Sequence, residues 1–226
     1  MGVGNRIVSD PPRVDEQAVE LFRSVEVATA NVADVMGRFG TLRGLHRHGG
    51  TGRYLAGPAI TVRTRPTDNL LVHAALDLAR PGDVVVVDAG GGRERAIVGA
   101  LMARYALRRG IAGLVIDGMV RDADELSELG LPVYARGVVP DGPYKDGPGE
   151  INVPISCGGT AVLPGDLVLG DGDGVVLVPG EAAAEVGREA AAVQAREQRI
   201  VQDIADDAWD RAWVGRALER EARANV

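Results

Sequence analysis

Leu114-Val115-Ile116-Asp117-Gly118-Met119-Val120-Arg121-Asp122 is a short apolar run of β type that delivers an Arg and an Asp side by side at its carboxyl end. Upstream, Val84-Val85-Val86-Val87-Asp88 reads as a strand buried on both faces, because four consecutive valines leave no polar side for water. Between the two lie the loop Ala89-Gly90-Gly91-Gly92, a helical stretch from Arg95 to Arg109, and Gly110. Strand, glycine loop, helix, strand is a crossover unit, which sets the class as α/β with helices packed on a sheet. In such sheets ligands bind beyond the carboxyl ends of strands, where loops carry polar groups that the core cannot hold. Arg121 and Asp122 stand at such an end.

Working outward, residues 15 to 38 mix apolar and polar positions at helical spacing and read as two short helices. Gly57 to Thr64 alternates like a strand, and Asp68-Asn69 opens a helix through about Ala79. Pro81-Gly82-Asp83 turns the chain into the valine strand. Downstream, Val133 to Val139 reads as strand, and Ile151 to Val178 breaks into short apolar pieces separated by glycine turns. From Glu181 a long helix rich in Ala, Glu and Arg follows, broken near Asp206-Asp207. The expectation is one domain over 1–226, with its core at about 20–180 and a C-terminal helical extension at about 181–226.

The chain has 226 residues and a net charge of -7, with a pI near 5.1. That balance argues against nucleic acid as a partner, which needs a clustered basic face. No stretch approaches the roughly 18 unbroken apolar residues of a membrane span, and the amino end does not read as a signal peptide, so a cytoplasmic location is expected. A single cysteine, Cys157, excludes an internal disulfide framework and a Cys-rich zinc site. Lys145 is the only lysine, and it lies in the turn-rich stretch Pro140 to Gly149, which reads as a solvated loop. Imine chemistry, which needs a lysine desolvated in a pocket, is therefore not expected.

Among chemistry-bearing groups, an Arg fork can grip a carboxylate in bidentate fashion, while an Asp offers a hard oxygen to Mg²⁺ or Mn²⁺. Arg121 and Asp122 supply both. The alternative is a plain strand-to-helix turn, with Asp122 capping a helix from Ala123 and Arg121 in a surface pair. Gly90 to Gly92, ahead of a helix whose first turns hold Ala96 to Leu101, could cradle an anion or serve only as a turn. His46 and His48 read as a solvated glycine-rich loop, His73 as a partly buried packing residue, and Asp171 and Asp173 as a turn.

Together Gly57 to Val62, Asp68-Asn69, Pro81 to Asp83, Val84 to Gly92, Gly113 to Asp122, Lys145 to Gly149, Cys157 to Gly159 and Pro164 to Val176 resemble the RraA-like proteins. Their enzymatic branch is the 4-hydroxy-4-methyl-2-oxoglutarate aldolases. The resemblance runs from about residue 20 to residue 200. It implies a β/β/α swivelling-domain-like sandwich with flanking N- and C-terminal helices, assembled as a homotrimer or dimer of trimers with sites between subunits. It implies that Asp122 binds a divalent metal, Mg²⁺ or Mn²⁺, mostly surrounded by water, and that Arg121 holds the oxo and carboxylate oxygens of a small 2-oxo acid. Backbone amides at Gly99, Ala100 and Leu101 would take the pyruvate carboxylate, and Glu197 of a neighbouring subunit would complete the metal site through water. The implied reaction is metal-assisted cleavage of a 4-hydroxy-2-oxo acid to pyruvate, with oxaloacetate decarboxylation as a second activity. Two departures from this reading stay open: a regulatory binding protein of the kind that inhibits ribonuclease E, and a different lyase or isomerase on the same scaffold. The regulatory branch lacks the Asp that stands here at 122. The enzymes carry an acid where this chain has Ala100.

Overall fold

The computed structural model describes residues 4–224. The chain begins with β1 (Asn5–Ile7), α1 (Glu16–Val25), α2 (Thr29–Val35), β2 (Thr41–Leu42) and β3 (His46–Gly49). Then come β4 (Leu55–Thr64), α3 (Leu70–Leu78), β5 (Val84–Asp88), β6 (Ala96–Val98), α4 (Ala100–Arg108), β7 (Gly113–Val120), α5 (Ala123–Glu128) and β8 (Val133–Val138). The rest is β9 (Gly149–Ile151), β10 (Ile155–Cys157), β11 (Thr160–Val162), β12 (Leu167–Gly170), β13 (Val175–Val178), α6 (Ala183–Ala205) and α7 (Ala212–Ala224).

The main sheet runs in the order β2-β13-β12-β4-β5-β7-β8-β3. Its centre, β4-β5-β7-β8, is parallel, whereas β12, β13, β2 and β3 join antiparallel at the two sides. The valine strand lies between β4 and β7 with all four valines fully buried, as its unbroken apolar run requires. Strand alternation sends Ile60, Val62, Val85, Val87, Leu114 and Ile116 to one face, where α3 and α4 cover them. The other face gathers Val84, Val86, Val115 and Tyr134 against the β10–β11 hairpin. A third cluster lies where α1, α2 and the first half of α6 pack on β12 and β13 through Phe22, Leu167 and Leu169. The α/β sandwich with helices flanking it at both ends is thus as expected.

Two local readings need correction. Residues 95–99 do not begin a helix: Ala96–Val98 is a short strand paired with the end of β7, and helix starts only at Ala100. The β-branched Ile97 and Val98 gain more from burial beside β7 than from a helical turn. The glycines at 90–92 therefore do not lead into a helix start, and Gly91 instead backs onto the Arg136–Asp117 ion pair. Likewise His46 and His48 lie in β3, paired with β8, not in a free loop.

Gly57 fixes how closely β4 meets the turn before β5, since a Cβ there would overlap the Gly82 carbonyl. Gly57→Ala is expected to lower stability by about 1–3 kcal/mol, the cost of overpacking a closed site. Urea denaturation reads this as a lowered midpoint at unchanged slope.

Candidate active site

Because β6 runs beside the last residues of β7, Gly99 and Arg121 leave the sheet next to each other, and the Arg121 N–H donates to the Val98 carbonyl at 3.0 Å. Asp122 then adopts left-handed backbone, φ 60 and ψ 44, at the position before α5. Asp is one of the few residues that visits this region. A side chain there ordinarily accepts from the first amides of its own helix. Asp122 does not: α5 has no side-chain cap, and Asp122 Oδ2 instead accepts the N–H of Ala100, first residue of α4, at 2.9 Å. Of the two sequence readings of Arg121-Asp122, simple capping of α5 is thereby set aside. Arg121 Nε stands 3.7 Å from the same oxygen, and both side chains are about two-fifths exposed.

Around this pair is a cleft of about 90 Å³ lined by Asn69, His73, Gly99, Leu101, Met102, Arg121, Asp122 and Lys145, among others. Gly99 is needed there for space, since a Cβ would overlap Asp122 Oδ2 and come within 3.0 Å of Arg121 Cγ. Leu101 is exposed at the rim, whereas Ala100 is buried and its amide is already engaged by Asp122. The start of α4 thus offers Leu101 and Met102 amides to an anion more readily than that of Ala100. A wider groove of about 590 Å³ beside Arg6, Arg63 and Arg65 has two of its arginines committed, Arg63 to Glu150 at 2.7 Å and Arg65 to Asp68 at 3.1 Å.

Three cleft residues escaped the sequence reading. Lys145 lines the cleft in spite of its turn-rich neighbours. His73 does so too, and burial together with nearby Lys145 lowers its pKa, favouring the neutral imidazole. Asn69 is buried, donates from Nδ2 to the Ile97 carbonyl at 2.9 Å, and leaves Oδ1 without a protein partner. The available signals were that Lys145 is the sole lysine and that Asn69 belongs to the Asp68-Asn69 pair among the segments that carry the family resemblance; nothing local marked His73. Glu197 is not brought to this cleft within its own chain. It sits exposed on α6, where Oε2 accepts from Asn31 Nδ2 at 2.7 Å.

Asp122 Oδ1 makes no hydrogen bond among the described residues, so it can meet a hard cation directly. Among those residues no group of three or more His, Cys, Asp or Glu side chains gathers to hold a metal. One free carboxylate oxygen is what a largely hydrated Mg²⁺ or Mn²⁺ would require of the protein, since such an ion keeps several waters and needs only one or two carboxylates.

The profile of the RraA-like family, described as Aldolase/RraA, matches residues 29–177. The chain belongs to the RraA-like family. A Thermus thermophilus protein named 4-hydroxy-4-methyl-2-oxoglutarate aldolase is 40% identical over 131 residues, covering 58% of this chain and 79% of that one. A Halalkalibacterium halodurans protein that carries the same name provisionally is 42% identical over 153 residues, covering 68% and 73%. In fold, the chain is similar to Streptomyces coelicolor RraAS2, titled an unusual member of the RNase ES inhibitor RraA protein family. That likeness has a TM-score of 0.70 at 33% identity over 82% of this chain and 97% of that one. The RraA-like fold expected from the sequence is thus present, and α6 and α7 lie beyond the family match. Among the described residues no helix is long and apolar enough to cross a membrane.

Gly99→Ala is expected to displace Asp122 and Arg121 together while leaving the fold intact. Turnover should fall at least about a hundredfold, the scale of a misplacement near 1 Å, with an unchanged far-UV circular dichroism spectrum.

Proposed function

We propose that this RraA-like protein is a divalent-metal-dependent lyase that cleaves 4-hydroxy-2-oxo acids, such as 4-hydroxy-4-methyl-2-oxoglutarate, to pyruvate and a second carbonyl compound. The observation that carries this reading is the orientation of Asp122, whose carboxylate is held by Ala100 N–H beside Arg121 instead of capping α5. Asp122 would hold a Mg²⁺ or Mn²⁺ ion, which when bound would supply Lewis-acid stabilisation of the charge that develops on the 2-oxo oxygen.

The protein groups divide the remaining work. Arg121 binds the 2-oxo acid end through its fork, with the Leu101 amide of the α4 start beside it. Lys145, a mobile point charge on a long stem, suits the distal carboxylate of a dicarboxylic substrate. The proton of the 4-hydroxyl passes to a base, for which the neutral imidazole of His73, directly or through a water, is the available group. The C3–C4 bond then breaks, its electron pair entering the pyruvate enolate, and a proton delivered to C3 yields pyruvate. Oxaloacetate losing carbon dioxide leaves the same enolate, so decarboxylation is expected at the same site.

The chain is further proposed to work as a homotrimer or a dimer of trimers in which Glu197 of a neighbouring copy faces Asp122 through water. Its support is that Glu197 is exposed and stands outside its own chain's cleft. The second reading, a regulatory binding role, is favoured by the titles of solved neighbours that name them as RNA-processing or RNase inhibitors.

A lactate-dehydrogenase-coupled assay with the hydroxy-oxo acid and with oxaloacetate tests the main reading. Pyruvate release should vanish with EDTA and return with Mn²⁺ or Mg²⁺. Asp122→Ala should abolish it, and Arg121→Lys should lower kcat/KM by two or more orders of magnitude because the bidentate fork is lost. Equal rates for wild type and Asp122→Ala would end the proposal. For the shared site, mixed refolding of Asp122→Ala with Glu197→Ala chains should restore activity that neither has alone, since some sites then receive both intact residues. Persistent inactivity of the mixture counts against a contribution from the neighbour.

A further inference from the structure

We propose that Asp68 is a positioning residue that holds Lys145 in the cleft facing Arg121 and Asp122. What Lys145 does there rests on the lyase reading above; where it stands rests on geometry alone. Asp68 is completely buried, and its two carboxylate oxygens serve different ends. Oδ1 accepts the Leu70 N–H at 2.9 Å, which is all that starting α3 requires. Oδ2 accepts the N–H groups of Asp146 at 2.8 Å and Gly147 at 3.0 Å, the two residues after Lys145, and also meets Arg65 at 3.1 Å. On the other side of the lysine, Tyr144 N–H donates to the Thr67 carbonyl at 2.8 Å, and its own carbonyl accepts the Asn69 N–H at 3.0 Å.

Lys145 is thereby bracketed by backbone ties to one corner, residues 67–69. The stretch Pro140 to Gly149 is rich in Pro and Gly and has no helix to order it, so its placement has to come from outside. A buried carboxylate is tolerated only when its acceptor capacity is filled, and here half of that capacity is spent on the lysine loop. The same corner reaches the other side of the cleft, because Asn69 Nδ2 holds the Ile97 carbonyl just ahead of Gly99. The neighbours Asp68 and Asn69 thus divide the task, Asp68 tying the lysine loop and Asn69 the segment before Gly99.

The sole lysine makes a direct test possible. Reductive methylation with ¹³C-formaldehyde places one labelled side chain on the protein besides the amino terminus, and NMR reads its environment. Asp68→Asn keeps the shape but points an amide NH₂ at donors that need an acceptor. Lys145 is exposed at the cleft in the native protein, and in this variant its signal should leave the native position and sharpen as the loop is released. KM should rise about tenfold, the worth of a charge-assisted contact, with kcat much less affected. Lys145→Ala should show the same rise, and the double variant no more than either alone.

A folded Asp68→Asn protein with an unmoved lysine signal overturns the proposal, as does a double variant whose loss is the product of the single ones. Should Asp68→Asn fail to fold, amide hydrogen exchange of the native protein decides. Protection at Asp146 and Gly147 supports the tie, and free-loop exchange at both overturns it. If the native protein releases no pyruvate, the lyase reading fails, and the lysine signal still judges the role of Asp68.

Discussion

Asp122 stands where a helix cap belongs and serves a different helix. Its left-handed backbone turns the carboxylate away from α5 and onto the Ala100 N–H. This one hydrogen bond joins the end of β7 to the start of α4, two elements already brought side by side by the short strand β6. Left-handed backbone in a non-glycine residue costs on the order of 1 kcal/mol and persists only where surrounding structure overdetermines it. Here the surroundings do so: the Arg121 amide is tied to Val98, Gly99 carries no Cβ to obstruct the carboxylate, and Leu126 N–H returns to the Asp122 carbonyl. The result is a carboxylate fixed by a main-chain N–H, beside an arginine whose backbone is tied to Val98.

What the sequence made legible follows from the range over which each signal acts. The valine strand, the crossover to Leu114 and the two opening helices are written in local periodicity, and they appear as read except for the start of the crossover helix. The Arg121-Asp122 end of β7 was legible because strand ends are where polar groups leave the core. The stretch 95–99 was misread because a three-residue strand and the first turn of a helix look alike to periodicity. Lys145 lies exposed in a loop, as read, but composition does not show that this loop lines the cleft, because its placement comes from Asp68, 78 residues earlier than the Asp146 amide it binds. Asn69 was noticed as a helix opener, and its grip on Ile97 is equally nonlocal. Glu197 marks a further limit, since the sequence suggested a role that one chain alone does not display.

The site is built from parts of unequal rigidity. Arg121, Asp122 and Gly99 stand on a sheet whose central valines are fully buried, so their mutual positions share the stability of the core. Lys145 stands on a loop whose order depends on a handful of hydrogen bonds to one buried carboxylate. A cleft with one fixed wall and one tethered wall can hold the reacting end of a substrate tightly while tolerating variation at the far end. That division suits the proposed substrates, because the 2-oxo acid end is common to every 4-hydroxy-2-oxo acid and the distal group is what differs.

The charged residues that line the cleft leave it net positive. Among the lining residues named above, Arg121 and Lys145 are cations, His73 is held neutral and Asp122 is the carboxylate. The sum is an excess of positive charge in a protein whose net charge is -7. Ala100 is buried behind the lining and adds no charge to it. Such a field favours an anionic ligand over a bare divalent cation. Arg121 stands 3.7 Å from Asp122 Oδ2, which leaves Oδ1 for a cation. In the proposed lyase a substrate carboxylate engages the guanidinium and offsets its charge, while the substrate's own oxygens join Asp122 as hard ligands. Metal and substrate would then favour each other's binding. The coupling is reciprocal by thermodynamic necessity.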